Sequence, residues 1–360
     1  MKLIIVESPH KSTTITKFLG SDYKVIASKG HIRDLASTGK MRLGVDIDDN
    51  FKPTYVVSDD KKDIVKFLQK EVKAADEVYL ATDPDREGEA ISWHLAQVLK
   101  LDINTTKRLE FHEITKKAIV KALQNPRHID MNLVESQETR RIIDRLMGYR
   151  LSYLLQIKIK SKSAGRVQSV VLKYIVDREK EIKAFVPSEY WTISGKFSLK
   201  DISVDANLVS YKDQAVKIAN ETEADKIISS LPDEFKVTSL KTETKTREPK
   251  PPFITSTLQQ EAYSQFKFSP TKTASIAQKL YEGLDIGGES TGLITYMRTD
   301  SIRLSDEFID SAKKYIIEKY GEKYYKGTKK APKGKNIQDA HEAIRPTNIL
   351  RTPESVKSYL

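Results

Sequence analysis

The chain has no cysteine. Disulfide stapling, a thiol nucleophile and a thiolate zinc site are therefore excluded, and a reducing, cytosolic compartment is compatible. No apolar run approaches the roughly 18 residues needed to cross a bilayer. No signal peptide opens the chain, because the N-terminus runs directly into LIIVE, a core-strand pattern. Internal repeats and long low-complexity tracts are also missing. What is present is length and positive charge. The 360 residues are enough for two or three domains with real cores. There are 61 Lys and Arg against 50 Asp and Glu, a net charge of +11. That balance is the electrostatic footprint of a nucleic-acid binder; anionic membranes attract the same charge, but nothing here spans one.

The densest chemistry is ATDPDREGEAI, which puts Asp83, Asp85, Glu87 and Glu89 within seven residues. The preceding run EVYLA reads as a buried strand, and Ala90, Ile91, Leu95, Val98 and Leu99 recur as on a helix. The acids thus fall at a strand-to-helix turn, the edge where open α/β folds bind ligands. Two readings fit. Hard carboxylates at this spacing suit Mg²⁺, which takes one or two of them plus waters and phosphate oxygens. Acids at a helix N-terminus are also favoured for electrostatic reasons alone.

Around this turn the order is strand, helix, strand, helix. Leu3 to Val6 is a first strand, ending at Glu7. SPHKSTTITKFLG is a helix with Pro9 at its start and Gly20 at its stop, carrying Lys11 one turn in. Tyr23 to Ser28 is extended and leads into the polar loop KGHIRDL, with His31, Arg33 and Asp34. Residues 38 to 57 read as a loop or insertion. Ile64, Phe67, Leu68 and Val72 mark a helix, Lys107 to Phe111 a strand, and Thr115 to Leu123 a helix. The alternation implies a parallel sheet with right-handed crossovers. From Met131 to Lys183 the pattern is helical. Arg141, Arg145 and Tyr149 fall four apart, on one helix face. Such a face suits an unpaired base, though solvated arginine faces have the same spacing. SAGRVQS offers Arg166 and Gln168 at a helix start that could hold phosphate, or a plain basic loop. Residues 188 to 240 alternate as antiparallel strands do, and KTETKTREPKPPF is a hinge or linker. Two helices follow, then TGLITYMRTDSIRLS. If Leu293 to Arg298 is extended, Ile294, Tyr296 and Arg298 share a face, and a tyrosine beside a guanidinium can be a nucleophile with a phosphate partner. A lysine and tyrosine cluster from Lys313 to Lys335 reads as a solvated surface compatible with nucleic acid. DAHEAIRPT then places His341 and Arg345 in a short polar run.

Taken together, VESPHK, GHIRDL, ATDPDREGEAI, FHEIT, RRIIDRLMGY, SAGRVQS, STLQQEA, ITYMRTDS and AHEAIRPT resemble, in order and over the whole chain, the type IA DNA topoisomerases. The methionine of ITYMRTDS favours the bacterial topoisomerase I branch over the topoisomerase III branch. The resemblance implies a multidomain α/β, α and β architecture. Residues 1–127 would be a TOPRIM metal-binding domain, 128–185 the first part of a helical single-strand DNA groove domain, 186–250 the first part of a β-rich arch, and 251–360 a mainly helical domain bearing the nucleophile. It implies Mg²⁺-dependent cleavage of one DNA strand by Tyr296, through a 5′-phosphotyrosine bond, with strand passage, religation and relaxation of negative supercoils. No ATP is implied, and no GxxxxGK[ST] loop is present.

The same resemblance assigns roles. Arg298 binds the scissile phosphate and Lys11 neutralises charge or protonates the leaving 3′-oxygen. Glu7 supports proton transfer and metal. Asp83, Asp85 and Glu87 hold Mg²⁺, and His341 supports the cleaved phosphate. Arg141, Arg145 and Tyr149 form a pocket preferring cytosine. Arg166 and Gln168 contact the strand backbone, and His31 and Arg33, in a loop with Asp34 near the site, are further DNA contacts. A monomeric, cytoplasmic, nucleoid-associated enzyme acting on DNA is expected. In the family the chain returns after the tyrosine domain to complete arch and groove, so an N-terminal part of such a protein is expected here. Two other readings remain: a fragment that binds or cleaves single strands without strand passage, and a TOPRIM primase or nuclease. ITYMRTDS argues against the last, which has no use for a tyrosine nucleophile.

Overall fold

The strand LIIV divides its side chains between two cores. In the computed structural model, which describes residues 1–160, 162–199, 201–245, 247–327 and 341–359, β1 (Lys2–Val6) lies inside a four-stranded parallel sheet. Its neighbours are β2 (Tyr23–Ala27) and β7 (Glu77–Leu80), with β8 (Lys107–Arg108) beyond β7. Alternate residues face opposite sides. Leu3 and Ile5 pack with Val65, Leu68, Ile91, Leu95, Leu99 and Val134. Those residues come from α2 (Lys62–Ala74), α3 (Arg86–Val98), the end of α3 at Leu99, and α5 (Met131–Ile159). Ile4 and Val6 pack on the other side with Ile15, Ile119, Tyr281, Tyr296 and Met297. That side is covered by α1 (Pro9–Phe18), α4 (Lys116–Gln124) and α9 (Pro270–Glu282). The expected α/β sheet is therefore present, and the segment holding Tyr296 is built into one of its cores.

Residues 38–57, read as a loop, hold short antiparallel pairs: β3 (Arg33–Leu35) with β6 (Tyr55–Val57), and β4 (Val45–Asp46) with β5 (Lys52–Pro53). Strands of two or three residues carry too little alternation to be seen in sequence. The strand expected over Lys107 to Phe111 is only two residues long; Arg108 also exchanges backbone hydrogen bonds with Arg127.

A charge network holds the strand edges to α5. Glu89, fully buried, faces Arg108 at 3.2 Å and Arg127 at 2.7 Å, and accepts from the Asp130 amide at 2.7 Å, at the N-cap of α5. Arg108, also fully buried, donates to the Asp83 carbonyl at 2.7 Å. A buried carboxylate of this kind is tolerated only because every oxygen is paired.

Contacts divide the chain into two units, Met1–Arg166 with Pro249–Leu360, and Val167–Glu248. The second unit contains α6 (Arg166–Ala184) after its first residue, the hairpin β9 (Ser194–Leu199) and β10 (Ile202–Asn207), and the pair β11 (Ser210–Tyr211) and β12 (Gln214–Ala215). The β-rich reading of this stretch missed α7 (Glu221–Ile228), whose N-cap Asn220 accepts from the Glu223 amide. The first unit resumes with α8 (Thr255–Phe266), α9, the hairpin β13 (Leu284–Ile286) and β14 (Glu289–Thr291), α10 (Asp306–Tyr320) and α11 (Pro353–Val356). Residues 328–335 of the lysine and tyrosine cluster, and the first two residues of DAHEAIRPT, lie outside the described residues. No helix among those described is long and apolar enough to cross a membrane.

Buried His94 makes acid sensitivity predictable. Its Nδ1 accepts from Arg33 Nε, which requires a neutral ring. Burial, with Arg33 beside it, depresses its pKa from 6.5 to about 3. The unfolded chain therefore binds this proton first, so stability falls as pH drops from 6.5 towards 3. Urea unfolding should show this group contributing up to ~1.4 kcal/mol per pH unit in that window. His94→Gln should flatten the slope; an unchanged slope would place the acid sensitivity elsewhere.

Candidate active site

The carboxyl edge of the sheet gathers four acids and two cations. Glu7 ends β1 and Ser8 caps α1, which sets Lys11 in the first turn. Lys11 is fully buried, and its ammonium is hydrogen-bonded to both Glu7 and Asp83. Glu7 also accepts from the Asp83 amide at 2.7 Å. The Lys11 ammonium lies 5.1 Å from the centre of the Tyr281 ring, a cation–π contact. Burial pushes the Glu7 carboxyl up to about 7, against the pull of Lys11. Burial opposes the charge on Lys11 and on Asp83 as well. Their mutual attraction, helped on the lysine by Glu7, outweighs it, so Lys11 is raised and Asp83 lowered.

After Asp83 the chain turns into α3. Asp85 is its N-cap, accepting from the Gly88 amide at 2.8 Å. Gly88 is required here for space: a Cβ on it would lie 2.1 Å from the Asp83 carbonyl oxygen. The other oxygen of Asp85 accepts from the Tyr296 hydroxyl at 2.6 Å, and Arg298 Nη1 stands 3.8 Å from it. Tyr296 is 3% exposed. Burial, then the carboxylates of Asp83 and Asp85, push its phenol far above the ordinary value. Glu87 accepts from Gln137 at 3.1 Å, and His31 Nε2 is 3.9 Å from it. Buried His341 meets the Pro84 carbonyl through Nε2 at 2.7 Å, between the two aspartates.

Glu7, His31, Asp83, Asp85, Glu87 and Arg298 line one cavity of about 770 Å³, together with Gln259 of α8 and Gln278 of α9, while Lys11, Tyr296 and His341 lie buried behind the acids. Sequence-predicted residues from the two ends of the chain thus meet at one place. The nucleophile segment is held there by backbone hydrogen bonds: Tyr296 N–H to His112 O at 2.8 Å and Gly292 N–H to Ile114 O at 2.8 Å. The Arg345 guanidinium adds Glu113 at 3.0 Å and Glu342 at 2.8 Å, above the Phe308 ring.

The remaining candidates lie elsewhere. Arg141 is paired with Asp34 and Arg145 is buried against the Leu35 and Ala36 carbonyls, 5.0 Å from the Tyr149 ring centre. Asp34 and these three residues line a separate cavity of about 530 Å³. Arg166 is bound to Asp144 at 2.7 Å, and Gln168 is exposed on α6 in the second unit. Arg33, expected on DNA, instead lies between the Tyr55 and Trp93 rings, 5.0 and 4.8 Å from their centres, bonded to His94 and Gln97. Its guanidinium is spent on holding the loop. Sequence reasoning missed Tyr281, whose spacing on α9 resembles that of any core residue. It also missed that Asp85 caps a helix while receiving the phenol.

All four acids offer hard oxygens, and they outnumber Lys11 and Arg298. Among the described residues no three of them close into a cage of His, Cys, Asp or Glu around one point. One or two carboxylates at an open cavity still match what Mg²⁺ takes alongside water and phosphate oxygens. The donor set therefore fits a divalent cation held partly by substrate.

Residues 2–114 match the Toprim domain, a divalent-metal-binding module. Residues 128–359 match the DNA topoisomerase family. The full-length topoisomerase I of Thermotoga maritima is similar at 43% identity and a TM-score of 0.84, over 99% of this chain and 57% of that one. Fold and family matches thus define a Toprim-bearing member of the DNA topoisomerase family. The chain belongs to the type IA family, in its bacterial topoisomerase I branch, and spans 57% of the length of the Thermotoga maritima relative.

Gly88→Ala tests the turn. The clash should cost more than about 2 kcal/mol in chemical denaturation; unchanged stability would show that the end of β7 can move away from α3.

Proposed function

We propose that this chain carries the cleavage centre of a type IA topoisomerase, which cuts one DNA strand through a 5′-phosphotyrosine bond and reseals it without ATP. The observation that carries the reading is the 2.6 Å hydrogen bond from the Tyr296 hydroxyl to Asp85, which lines one cavity with Arg298 and with Glu7 and Asp83, the two partners of the Lys11 ammonium. The Tyr296 oxygen forms the bond to phosphorus while the bond from phosphorus to the 3′-oxygen breaks. Asp85 is set to take the phenolic proton. Arg298, more than half exposed at the mouth, binds the non-bridging phosphate oxygens. The leaving 3′-oxygen receives a proton from Lys11 or from Glu7, whose raised pKa lets it carry one near neutral pH. His341 fixes the Pro84 carbonyl and so the spacing of the two aspartates. Asp83, Asp85 and Glu87, with Glu7, would hold Mg²⁺, which when bound screens phosphate charge and orients the strand. Resealing is the same exchange in reverse, so the bond energy is conserved.

The domain assignment goes with this reading: 1–127 the metal-binding domain, 128–185 the groove, 186–250 the arch and 251–360 the nucleophile domain. Arg141, Arg145 and Tyr149 would take an unpaired base, cytosine by preference, with Asp34 released from Arg141 as it enters. Arg166, Gln168 and His31 would contact the strand. DNA with a single-stranded segment, as in negatively supercoiled duplex, is the proposed partner. A monomer acting in the cytoplasm, at the nucleoid, completes the proposal. A second reading, binding or cleavage without strand passage, is favoured by the apolar surface of α6: Leu172, Tyr174 and Ile175 are each at least 60% exposed.

Two experiments test the chemistry. Incubation with an end-labelled single-stranded oligonucleotide and Mg²⁺, followed by denaturation, should leave label on the protein. Tyr296→Phe should abolish that adduct and leave strand binding nearly intact; an undiminished adduct would move the nucleophile elsewhere. Asp83→Asn combined with Asp85→Asn should weaken Mg²⁺ binding by calorimetry at least about tenfold, with a matching loss of adduct. An unaltered metal isotherm would remove these acids from the metal site. Plasmid relaxation then separates the two readings.

A further inference from the structure

Four of the sixteen tyrosines fall between residues 315 and 325, and none takes part in the chemistry above. They crowd the end of α10 and the turn after it. Tyr320 is 53% and Tyr324 63% exposed. Their ring centres are 6.4 Å apart, and Tyr315 is 6.4 Å from Tyr320 on the other side. Ammonium groups cover these rings: Lys319 lies 5.1 and 5.5 Å from the centres of Tyr315 and Tyr320, and Lys323 lies 5.2 Å from that of Tyr324. Exposed aromatic faces interleaved with cations are the two elements with which proteins hold unpaired bases and their phosphates.

Tyr315 also lines a groove of about 1020 Å³ between α10 and α4, which shares no lining residue with the cleavage cavity. Most charges inside it are already paired: Lys117 with Glu307, Arg345 with Glu113 and Glu342, Arg351 with Glu289. Lys116 and Lys121 on one wall and Lys314 on the other have no ion-pair partner among the described residues, with Glu318 as the one acid left over there. The paired groups set three cations against four acids and Glu110 is taken by Arg127, whereas the three unpaired lysines outnumber Glu318, and Tyr315 joins the groove to the other tyrosines.

We propose that this groove and the tyrosine patch seat a second single-stranded DNA segment, distinct from the one in the cleavage cavity. The rim lysines would pair with phosphates, and Tyr320 and Tyr324 would stack on bases once Lys319 and Lys323 swing to the backbone. Duplex DNA could satisfy the lysines but offers no free base faces to the rings, so the arrangement selects single strands. This rests on the DNA-binding part of the reading above and not on the role of Tyr296.

The test uses the whole chain, without metal, and a fluorescent thirty-nucleotide oligothymidine. Tyr320→Ala with Tyr324→Ala should weaken binding at least about tenfold. Lys116→Ala, Lys121→Ala and Lys314→Ala together should lower the salt dependence by about 2 in log–log slope, as for three lost phosphate contacts. Both sets should keep full adduct yield at saturating oligonucleotide with Mg²⁺. A photoactivatable iodouracil strand should crosslink to Tyr320 or Tyr324, and should still do so in Tyr296→Phe. Unchanged affinity in both sets would overturn the proposal. So would a loss confined to the lysine set with duplex bound equally well, which would mark a phosphate-only surface. Failure of the unsubstituted chain to form any adduct would count against the cleavage reading and leave these binding results to decide this one.

Discussion

One buried ammonium organises this site. Lys11 has no access to water, so its charge is stable only because Glu7 and Asp83 flank it and the Tyr281 face lies against it. Remove the ammonium and two carboxylates face each other in a low-dielectric niche, an arrangement that costs several kcal/mol. Three chain segments must therefore arrive together: the end of β1 with α1, the turn after β7, and α9. The same convergence leaves Glu7 with a proton affinity near neutrality and leaves room at Asp85 for the phenol of Tyr296. A second buried charge cluster, Glu89 with Arg108 and Arg127, does for the back of the turn what Lys11 does for its front. It reaches the Asp83 carbonyl through Arg108 and the start of α5 through Asp130, so the acidic turn is fixed from both sides.

Much of this was legible beforehand, and the reasons are physical. The strand before Asp83 and the helix after it carry strong periodicities, so the sheet edge was readable as a place. Motif resemblance brought Glu7, Lys11, Tyr296, Arg298 and His341 to that place although they are far apart in sequence. The failures have equally definite causes. The short strands of residues 33–57 are held by pairing partners that no local pattern announces. The helix α7 lies in a stretch whose neighbours alternate like strands, and its cap, Asn220, is a residue equally at home in turns. Arg33 was placed on DNA by motif resemblance alone, and no local pattern announced the two aromatic rings, from distant segments, that flank its guanidinium. Tyr281 carried no signal at all, since a tyrosine on the inner face of a helix is ordinary core until a lysine is found beneath it.

Asp85 shows how one side chain can serve folding and chemistry without conflict. One oxygen accepts from the Gly88 amide in the first turn of α3, and the other receives the nucleophile's hydrogen bond. Capping thus aims the free oxygen, and the rotamer needed for the helix is the rotamer needed at Tyr296. A carboxylate held this way loses little entropy when substrate arrives, which is the sense in which such a site is preorganised. Arg298, by contrast, stays largely exposed and only approaches Asp85, as suits a group that must exchange a carboxylate for a phosphate.

The nucleophile's register has a further property. Tyr296 and Gly292 are docked to the end of the α/β sheet through the carbonyls of His112 and Ile114, peptide to peptide. Peptide groups are the same whatever side chain they carry. The seam can therefore keep its geometry while the residues along 111–114 drift, provided no proline removes a donor and nothing larger than glycine enters at 292, where a Cβ would lie 2.6 Å from the Tyr281 carbonyl oxygen. Selection on that seam should act through backbone shape, leaving side-chain identity there free to follow packing and partners.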